Sequence, residues 1–231
     1  MMNRFEVLLW DIDGTLLDFA AAERAAVKSL FAKFGLGECT DEMLERYSAI
    51  NQQYWKRLER GELTKPQILR RRFEDFFRGE GLDPALGASF NEAYQPRLGD
   101  TIVFRDNSKE LVASLRGKVR QYAVSNGTII AQTKKLRRSG FDRLMDGVFL
   151  SEEIDFEKPA IEFFNCVFQA IGPVDRDRIL IVGDSLTSDI TGGNRAGIKT
   201  CWYNPAGLKN DTAAKVDYEI RCLQEIPELL S

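Results

Sequence analysis

Short apolar runs that end at acidic or small polar residues recur along the chain, a pattern typical of buried parallel strands. The clearest runs cover residues 5–10, 119–124 and 179–182, and weaker strand candidates cover residues 147–150 and 199–203. Helical patterns separate the strand candidates. An alternation of strands and helices predicts an α/β fold, with a parallel sheet covered by helices on both faces. The predicted helices of this part cover residues 108–116, 129–139, 160–171 and 187–196.

The pattern changes between about residues 18 and 100, where amphipathic helical periodicity continues without a convincing strand. Gly35, Gly61 and Pro84 are among the residues that interrupt it. We therefore expect an all-helical domain, residues 18–100, inserted into a core formed by residues 1–17 and 101–231. The four predicted helices of the insertion cover residues 21–34, 41–58, 65–78 and 84–95.

Composition favours an ordinary globular protein that acts on small molecules. Hydrophobic residues make up 44% of the 231 residues, and the net charge is −3. A nucleic-acid binder usually carries a basic excess, so binding to a nucleic-acid duplex is not expected. The four cysteines form no CxxC pair, which suits reduced thiols in the cytoplasm. The N-terminal segment is too short for a signal peptide or a membrane span, so we predict a cytoplasmic location and no membrane partner.

The chain contains no histidine. This excludes Ser-His-Asp and Cys-His catalysis, HExxH zinc chemistry and any phosphohistidine mechanism. Catalysis must therefore use carboxylates, lysine, hydroxyls, backbone amides or a metal ion bound by oxygen.

Asp11 and Asp13 follow the first predicted strand and are followed by Gly14 and Thr15. Two carboxylates this close repel each other unless a cation or a proton lies between them. A hard divalent ion such as Mg2+ prefers oxygen ligands and resolves the repulsion. One aspartate can then act as a nucleophile while the other transfers a proton. The competing interpretation is a simple turn at the end of a strand.

Two further segments supply groups that bind phosphate. Ser125, Asn126 and Gly127 end the second strand before a predicted helix, where hydroxyl and backbone N–H groups form a phosphate cradle. Lys158 precedes Pro159 at the predicted start of another helix. A lysine among several aspartates can neutralise the charge that develops on a phosphate. Taken alone, the segment of Ser125, Asn126 and Gly127 is more typical of a plain helix cap, and Lys158 is more typical of a solvated lysine.

Asp184 ends the third strand, and Asp189 follows five residues later. The position of Asp184 favours a metal ligand. Asp189, one turn into the predicted helix, either binds the metal or supports its ligands, and the alternative is an acidic residue favoured by a helix N-terminus.

Together, the DxDGT segment, the strand-ending serine, the lysine before proline and the GDxxxxD segment resemble the haloacid dehalogenase-like hydrolase superfamily. The resemblance implies a Rossmann-like, doubly wound core with an inserted helical cap. Asp11 would form an aspartyl-phosphate, and Asp13 would protonate the leaving group and then activate water. Ser125 and Lys158 would hold the phosphoryl group, with contacts from Asn126 and Gly127. The Mg2+ ligands would be Asp11, Asp184 and the backbone carbonyl of Asp13, with Asp189 as a ligand or a support.

A narrower similarity rests on residues 51–55 and 61 with Arg72-Phe73, on residues 151–153 and on Cys201-Trp202. In these segments the chain is similar to the pyrimidine 5'-nucleotidases of this superfamily. Asp13 argues for a phosphatase against a dehalogenase or a phosphonatase. The predicted function is Mg2+-dependent hydrolysis of a small phosphorylated metabolite, with a nucleoside 5'-monophosphate as the favoured substrate. The alternatives are a phosphoglycolate or sugar-phosphate phosphatase or mutase and, from another class, a non-catalytic module that binds a phospholigand.

Other polar and aromatic clusters receive simpler interpretations. The basic runs at residues 70–72 and 134–138 are expected on solvated helix faces, with Arg72 as a possible contact to substrate. The aromatic residues at 73, 76 and 77 are expected in a hydrophobic core. Tyr54 or Trp55 is a hypothetical part of the leaving-group pocket. The oligomeric state does not follow from the sequence.

Overall fold

The computed structural model describes residues 4–231. Met1–Asn3, with which the predicted N-terminal segment begins, lie outside this range. The described chain divides into two compact units, one of residues 4–18 with Val103–Ser231 and the other of Phe19–Ile102. None of the helices within residues 4–231 is long and apolar enough to cross a membrane.

The first unit is built on a parallel sheet of six strands. The strand order is β3-β2-β1-β4-β5-β6, and each adjacent pair is parallel. The predicted Rossmann-like α/β fold is therefore confirmed. The order places β1 at the centre, where Trp10 is in register with Ala123 of β2 and Val182 of β4. The strands are β1 Val7–Trp10, β2 Arg120–Ser125, β3 Gly147–Leu150, β4 Ile179–Gly183, β5 Lys199–Tyr203 and β6 Tyr218–Ile220.

The second unit contains four helices around an aromatic core. Tyr47 stacks on Phe73 with ring centroids 4.8 Å apart, and Phe90 packs against Phe73 at 4.9 Å. The aromatic residues at 73, 76 and 77 are fully buried, as expected. The helices are α1 Phe19–Phe34, α2 Asp41–Glu59, α3 Lys65–Gly79 and α4 Gly87–Arg97, with a 3-10 turn at Pro84–Leu86.

Helices also cover the sheet of the first unit. Phe163, Phe164 and Val167 pack against the apolar side chains of β1 and β4, so both central strands are buried throughout. The helices are α5 Ser108–Leu115, α6 Ile129–Ser139, α7 Ser151–Ile154, α8 Ile161–Ile171, α9 Thr191–Ala196 and α10 Ile226–Leu229.

Several local features differ from the sequence predictions. The short edge strand β6 has no sequence prediction. The predicted helix 187–196 is split into a π-helical turn, Leu186–Ile190, and α9. Lys158 and Pro159 do not begin a helix, since α8 starts at Ile161 after an N-cap at Ala160. Lys158 therefore lies in the loop that enters α8.

Candidate active site

The carboxyl ends of the three central strands bring most of the predicted site residues together. Asp11 directly follows β1, Ser125 ends β2, and Asp184 directly follows β4. Because these strands are adjacent and parallel, their carboxyl ends meet at one edge of the sheet. Ligands bind at this edge in open α/β sheets.

Asp11 is buried and held on both carboxylate oxygens. Oδ1 accepts a hydrogen bond from Lys158 Nζ at 2.9 Å, and Oδ2 accepts one from the Thr15 hydroxyl at 3.0 Å. The Asp11 backbone N–H donates to the Val182 carbonyl at 2.9 Å, which extends the pairing of β1 with β4. These contacts fix the carboxylate in one orientation.

The Lys158 ammonium group is 1% exposed and has three acceptors around it. It donates to Asp11 Oδ1 at 2.9 Å, Asp189 Oδ1 at 2.6 Å and the Val124 carbonyl at 2.8 Å. Burial lowers the pKa of Lys158, but the charges of Asp11 and Asp189 outweigh burial and raise the pKa above its ordinary value. Lys158 is therefore a fixed positive charge beside Asp11.

Asn126 positions the backbone of Lys158. Its side-chain Nδ2 donates to the Lys158 carbonyl at 2.8 Å, and its Oδ1 accepts from the Lys158 N–H at 2.8 Å. This pair of buried hydrogen bonds connects the end of β2 to the loop before α8. The sequence indicates Asn126 as a phosphate contact, and the structure gives its side chain this bridging position.

Asp11, Asp184 and Asp189 form a carboxylate cluster in which one oxygen from each residue lies within 4.8 Å of the others. Three carboxylates exceed the charge that Lys158 neutralises, and their oxygen atoms match the preference of Mg2+. The donor set therefore fits a magnesium ion. Asp189 has both oxygens engaged, by Lys158 and by the Ser185 N–H at 3.2 Å.

Burial and the neighbouring charges affect the protonation of Asp11. Burial raises the pKa of Asp11 to about 7, the charge of Lys158 opposes this shift, and the charge of Asp189 adds to it. A cation held by the cluster would favour the charged form of Asp11.

Two glycines allow close approach of these carboxylates to the backbone. A Cβ atom on Gly14 would lie 2.4 Å from Asp184 Oδ2, and one on Gly183 would lie 2.2 Å from the Asp189 carboxyl carbon. Both positions require glycine because a side chain would displace an acidic group of the cluster.

Asp13 is oriented differently from the three clustered carboxylates. Its Oδ2 accepts a hydrogen bond from Gln132 Nε2 at 2.5 Å, and its Oδ1 pairs with Lys135 Nζ at 2.5 Å. The expectation that residues 134–138 all lie on a solvated face is wrong at Lys135, which is buried. The available signal was its spacing of three from Gln132, which places both on the inner face of α6.

Ser125 and Gly127 lie where a phosphate cradle is predicted. The Ser125 hydroxyl is buried and accepts a hydrogen bond from the Gly127 N–H at 3.1 Å. Thr128 caps α6, since its side chain accepts from the Ala131 N–H at 3.3 Å. The loop therefore places a hydroxyl and the start of α6 beside the end of β2.

The helical unit contains the remaining candidates. Arg72 is 1% exposed and donates to Asn51 Oδ1 at 2.7 Å and Asn91 Oδ1 at 2.9 Å, so a solvated position is wrong for it. The Tyr54 hydroxyl donates to Asp75 at 2.5 Å, and Trp55 packs against the cluster around Tyr54. These residues contribute to the packing of the unit.

Comparisons with known proteins agree with this fold. Haloacid dehalogenase-like hydrolases match residues 5–197. The chain is 37% identical to YfnB of Bacillus subtilis, which is described as a HAD-hydrolase. The alignment covers the full length of this chain and 97% of YfnB. It is also 34% identical to the pyrimidine 5'-nucleotidase PynA of Streptococcus pneumoniae. The alignment covers 98% of this chain and 95% of PynA. The crystal structure of YfnB bound to magnesium superposes with a TM-score of 0.92 at 36% identity and covers 99% of both chains.

The chain belongs to the haloacid dehalogenase-like hydrolases. The predicted resemblance to this superfamily is confirmed, and so is the prediction of a hydrolytic enzyme. Membership in an enzyme family disfavours the alternative of a non-catalytic module that binds a phospholigand.

Proposed function

We propose that this enzyme is a Mg2+-dependent phosphatase that hydrolyses a small phosphate monoester through an aspartyl-phosphate on Asp11. The observation that carries the proposal is the environment of the Asp11 carboxylate. It is buried, held by Lys158 and Thr15, and adjacent to the acidic oxygens of Asp184 and Asp189. A carboxylate fixed beside a cation and a metal-binding cluster suits attack on an anionic phosphate.

The proposed reaction consists of two successive displacements at phosphorus. An Asp11 oxygen forms a bond to phosphorus while the ester P–O bond breaks, and Asp13 gives a proton to the leaving oxygen. Water then attacks the phosphorus of the aspartyl-phosphate, Asp13 takes its proton, and the bond to Asp11 breaks. Lys158, with Ser125 and Gly127, holds the phosphoryl oxygens.

We propose that Asp11, Asp184 and the Asp13 backbone carbonyl bind Mg2+, with Asp189 orienting Lys158. The bound ion would supply positive charge that neutralises the transferring phosphoryl group. Magnesium in the related YfnB structure supports Mg2+ as the bound ion.

The favoured substrate class is the nucleoside 5'-monophosphates, and small phosphorylated metabolites are the wider class. The support is the 34% identity to PynA, which is named a pyrimidine 5'-nucleotidase. The role of the helical unit as a substrate-selecting cap and the cytoplasmic location both remain predictions from the sequence.

The proposal is tested by phosphate release from a panel of nucleotides, phosphoglycolate and sugar phosphates, measured with Mg2+ and with a chelator. We expect Mg2+-dependent turnover with the highest kcat/KM for a nucleoside 5'-monophosphate. A higher value for phosphoglycolate or a sugar phosphate would replace the substrate assignment while preserving the phosphatase. The absence of turnover in folded protein with Mg2+ would overturn the proposed function.

A further inference from the structure

Both carboxylate oxygens of Asp13 are bound by side chains of one helix, α6. Gln132 Nε2 donates to Oδ2, and Lys135 Nζ pairs with Oδ1, each at 2.5 Å. The Lys135 side chain is 2% exposed, while that of Asp13 is 21% exposed. A lysine this deeply buried requires a polar partner, and Asp13 supplies an acceptor oxygen that remains available when the carboxyl group carries a proton. The pairing therefore constrains Asp13 far more than an exposed ion pair would.

Gln132 is itself held in place by the loop that ends β2. A Cβ atom on Gly127 would lie 2.2 Å from Gln132 Nε2 and 2.8 Å from its Cγ. The glutamine side chain therefore packs directly against the backbone of Gly127. The opposite end of the amide, Oε1, is buried and accepts no hydrogen bond from any described residue. The hydrogen bond from Nε2 to Asp13 is thus the main polar interaction of the Gln132 side chain.

We infer that Gln132 and Lys135 are positioning residues that hold the Asp13 carboxyl group in the orientation needed for proton transfer to the leaving group. This inference rests on the proposed function. Two donors with fixed spacing on one helix face define both the place and the rotation of a carboxyl group. Asp11 has a separate set of contacts, from Lys158 and Thr15. The nucleophile and the proton-transfer group are therefore oriented independently.

Independent orientation has a consequence that depends on the leaving group. An alcohol leaves poorly as an alkoxide and needs a proton, whereas p-nitrophenolate leaves readily without one. Displacement of Asp13 should therefore slow the cleavage of alkyl phosphates far more than that of p-nitrophenyl phosphate. A change that disturbed the whole site would slow both substrates.

The test compares kcat/KM for p-nitrophenyl phosphate and the best nucleoside monophosphate in Lys135→Met and Gln132→Met. The value of kcat/KM reports steps up to the first irreversible one, here the transfer to Asp11. We expect Lys135→Met to lose about 10²-fold on the alkyl ester and to change little on the aryl ester. Arg137→Met, which removes a charge from an exposed position of α6, is the matched control.

A double-mutant cycle with Asp13→Asn separates positioning from a general structural role. If Lys135 acts through Asp13, Lys135→Met should have no further effect once Asp13 is replaced. Equal losses on both esters, or additive losses in the double variant, would overturn the inference. If Lys135→Met fails to fold by circular dichroism, Gln132→Met carries the same test. A wild-type enzyme inactive on every ester would instead refute the proposed function itself.

Discussion

Gly14 shows how one residue without a side chain determines the geometry of the site. Its φ of +97° lies in a region that residues with a Cβ rarely adopt. Its N–H donates to the Leu17 carbonyl at 2.9 Å and closes the turn that follows β1. The Asp184 carboxylate occupies the space that a Cβ would fill. The glycine therefore serves both the turn and the carboxylate cluster.

We predict that Gly14→Ala weakens metal binding beyond its effect on stability. Alanine at a left-handed position costs about 1–2 kcal/mol of stability, and here it also displaces Asp184. The Mg2+ concentration for half-maximal activity should rise about tenfold or more, as for changes that disturb a ligand's orientation. The measurement is a Mg2+ titration of activity beside a denaturant melt.

Gly117→Ala is the matched control for this prediction. Gly117 has a φ of +76°, and a Cβ there would have no neighbour within 4 Å. It should carry the backbone strain without altering the Mg2+ requirement. An identical Mg2+ dependence in the two variants would show that Asp184 does not need the space above Gly14.

The sequence allows prediction of some site residues because their positions at strand ends are visible in the pattern. Asp11 and Asp184 each follow an apolar run directly, and the structure places both at the same edge of the sheet. Lys135 could not be found in this way. It lies within a run of basic residues, and the charges alone do not reveal that Lys135 shares the inner face of α6 with Gln132.

At the level of elements, the site depends on buried hydrogen bonds that connect the end of β2 to the loop before α8. Asn126, at the end of β2, donates to and accepts from the backbone of Lys158. The Lys158 ammonium in turn donates to the Val124 carbonyl at 2.8 Å. The loop before α8 is thus connected to β2 through both the backbone and the side chain of Lys158. Lys158 therefore has little freedom to move away from Asp11.

We predict that Asn126→Ala lowers the free energy of unfolding by about 1–3 kcal/mol, because it leaves a buried N–H and C=O of Lys158 without partners. Activity should fall as well, since Lys158 loses its support. Urea denaturation and steady-state kinetics measure the two effects.

Asn165→Ala provides the same substitution at an exposed position of α8. Its stability should change by no more than about 0.5 kcal/mol. Similar effects of the two substitutions would contradict the anchoring role of Asn126.

The predictability of an element depended on how deeply it is buried. The central strands β1 and β4 are buried on both faces, so their sequences are continuous apolar runs that the pattern identifies. The edge strand β6 has only three residues and one exposed side chain, which leaves no comparable pattern. The helical pattern over residues 187–196 does not reveal the π-helical turn at Leu186–Ile190, in which Asp189 contacts Lys158 and Ser185.

Each of the two units of the molecule has its own core. The sheet unit packs aliphatic strands against helices such as α8, and the helical unit packs aromatic rings around Phe73. A buried polar network also crosses the helical unit, where Arg72 bonds to Asn51, and Asn51 donates to Glu23 at 2.7 Å. The proposed metal ligands all belong to the sheet unit, so metal binding should stabilise that unit directly.

We predict that Mg2+ raises the unfolding temperature of the protein. A ligand that binds only the native state at 100 times its Kd adds about 2.7 kcal/mol of stability. Thermal unfolding by circular dichroism, with Mg2+ or with a chelator, measures the shift. Asp184→Asn should remove most of it.

Asp211→Asn, in an exposed loop, changes the net charge in the same way and should retain the shift. A full Mg2+ shift in the Asp184 variant would exclude the carboxylate cluster as the metal site.

The central claim is that Asp11 accepts the phosphoryl group. Its most direct test is rapid acid quenching of the enzyme during turnover with Mg2+, followed by mass spectrometry of the peptide that contains Asp11. The account predicts one phosphoryl group on Asp11 in the wild-type enzyme, with neither phosphopeptide nor turnover in a folded Asp11→Asn variant. A phosphoryl group on another residue, or substantial turnover by Asp11→Asn, would contradict it.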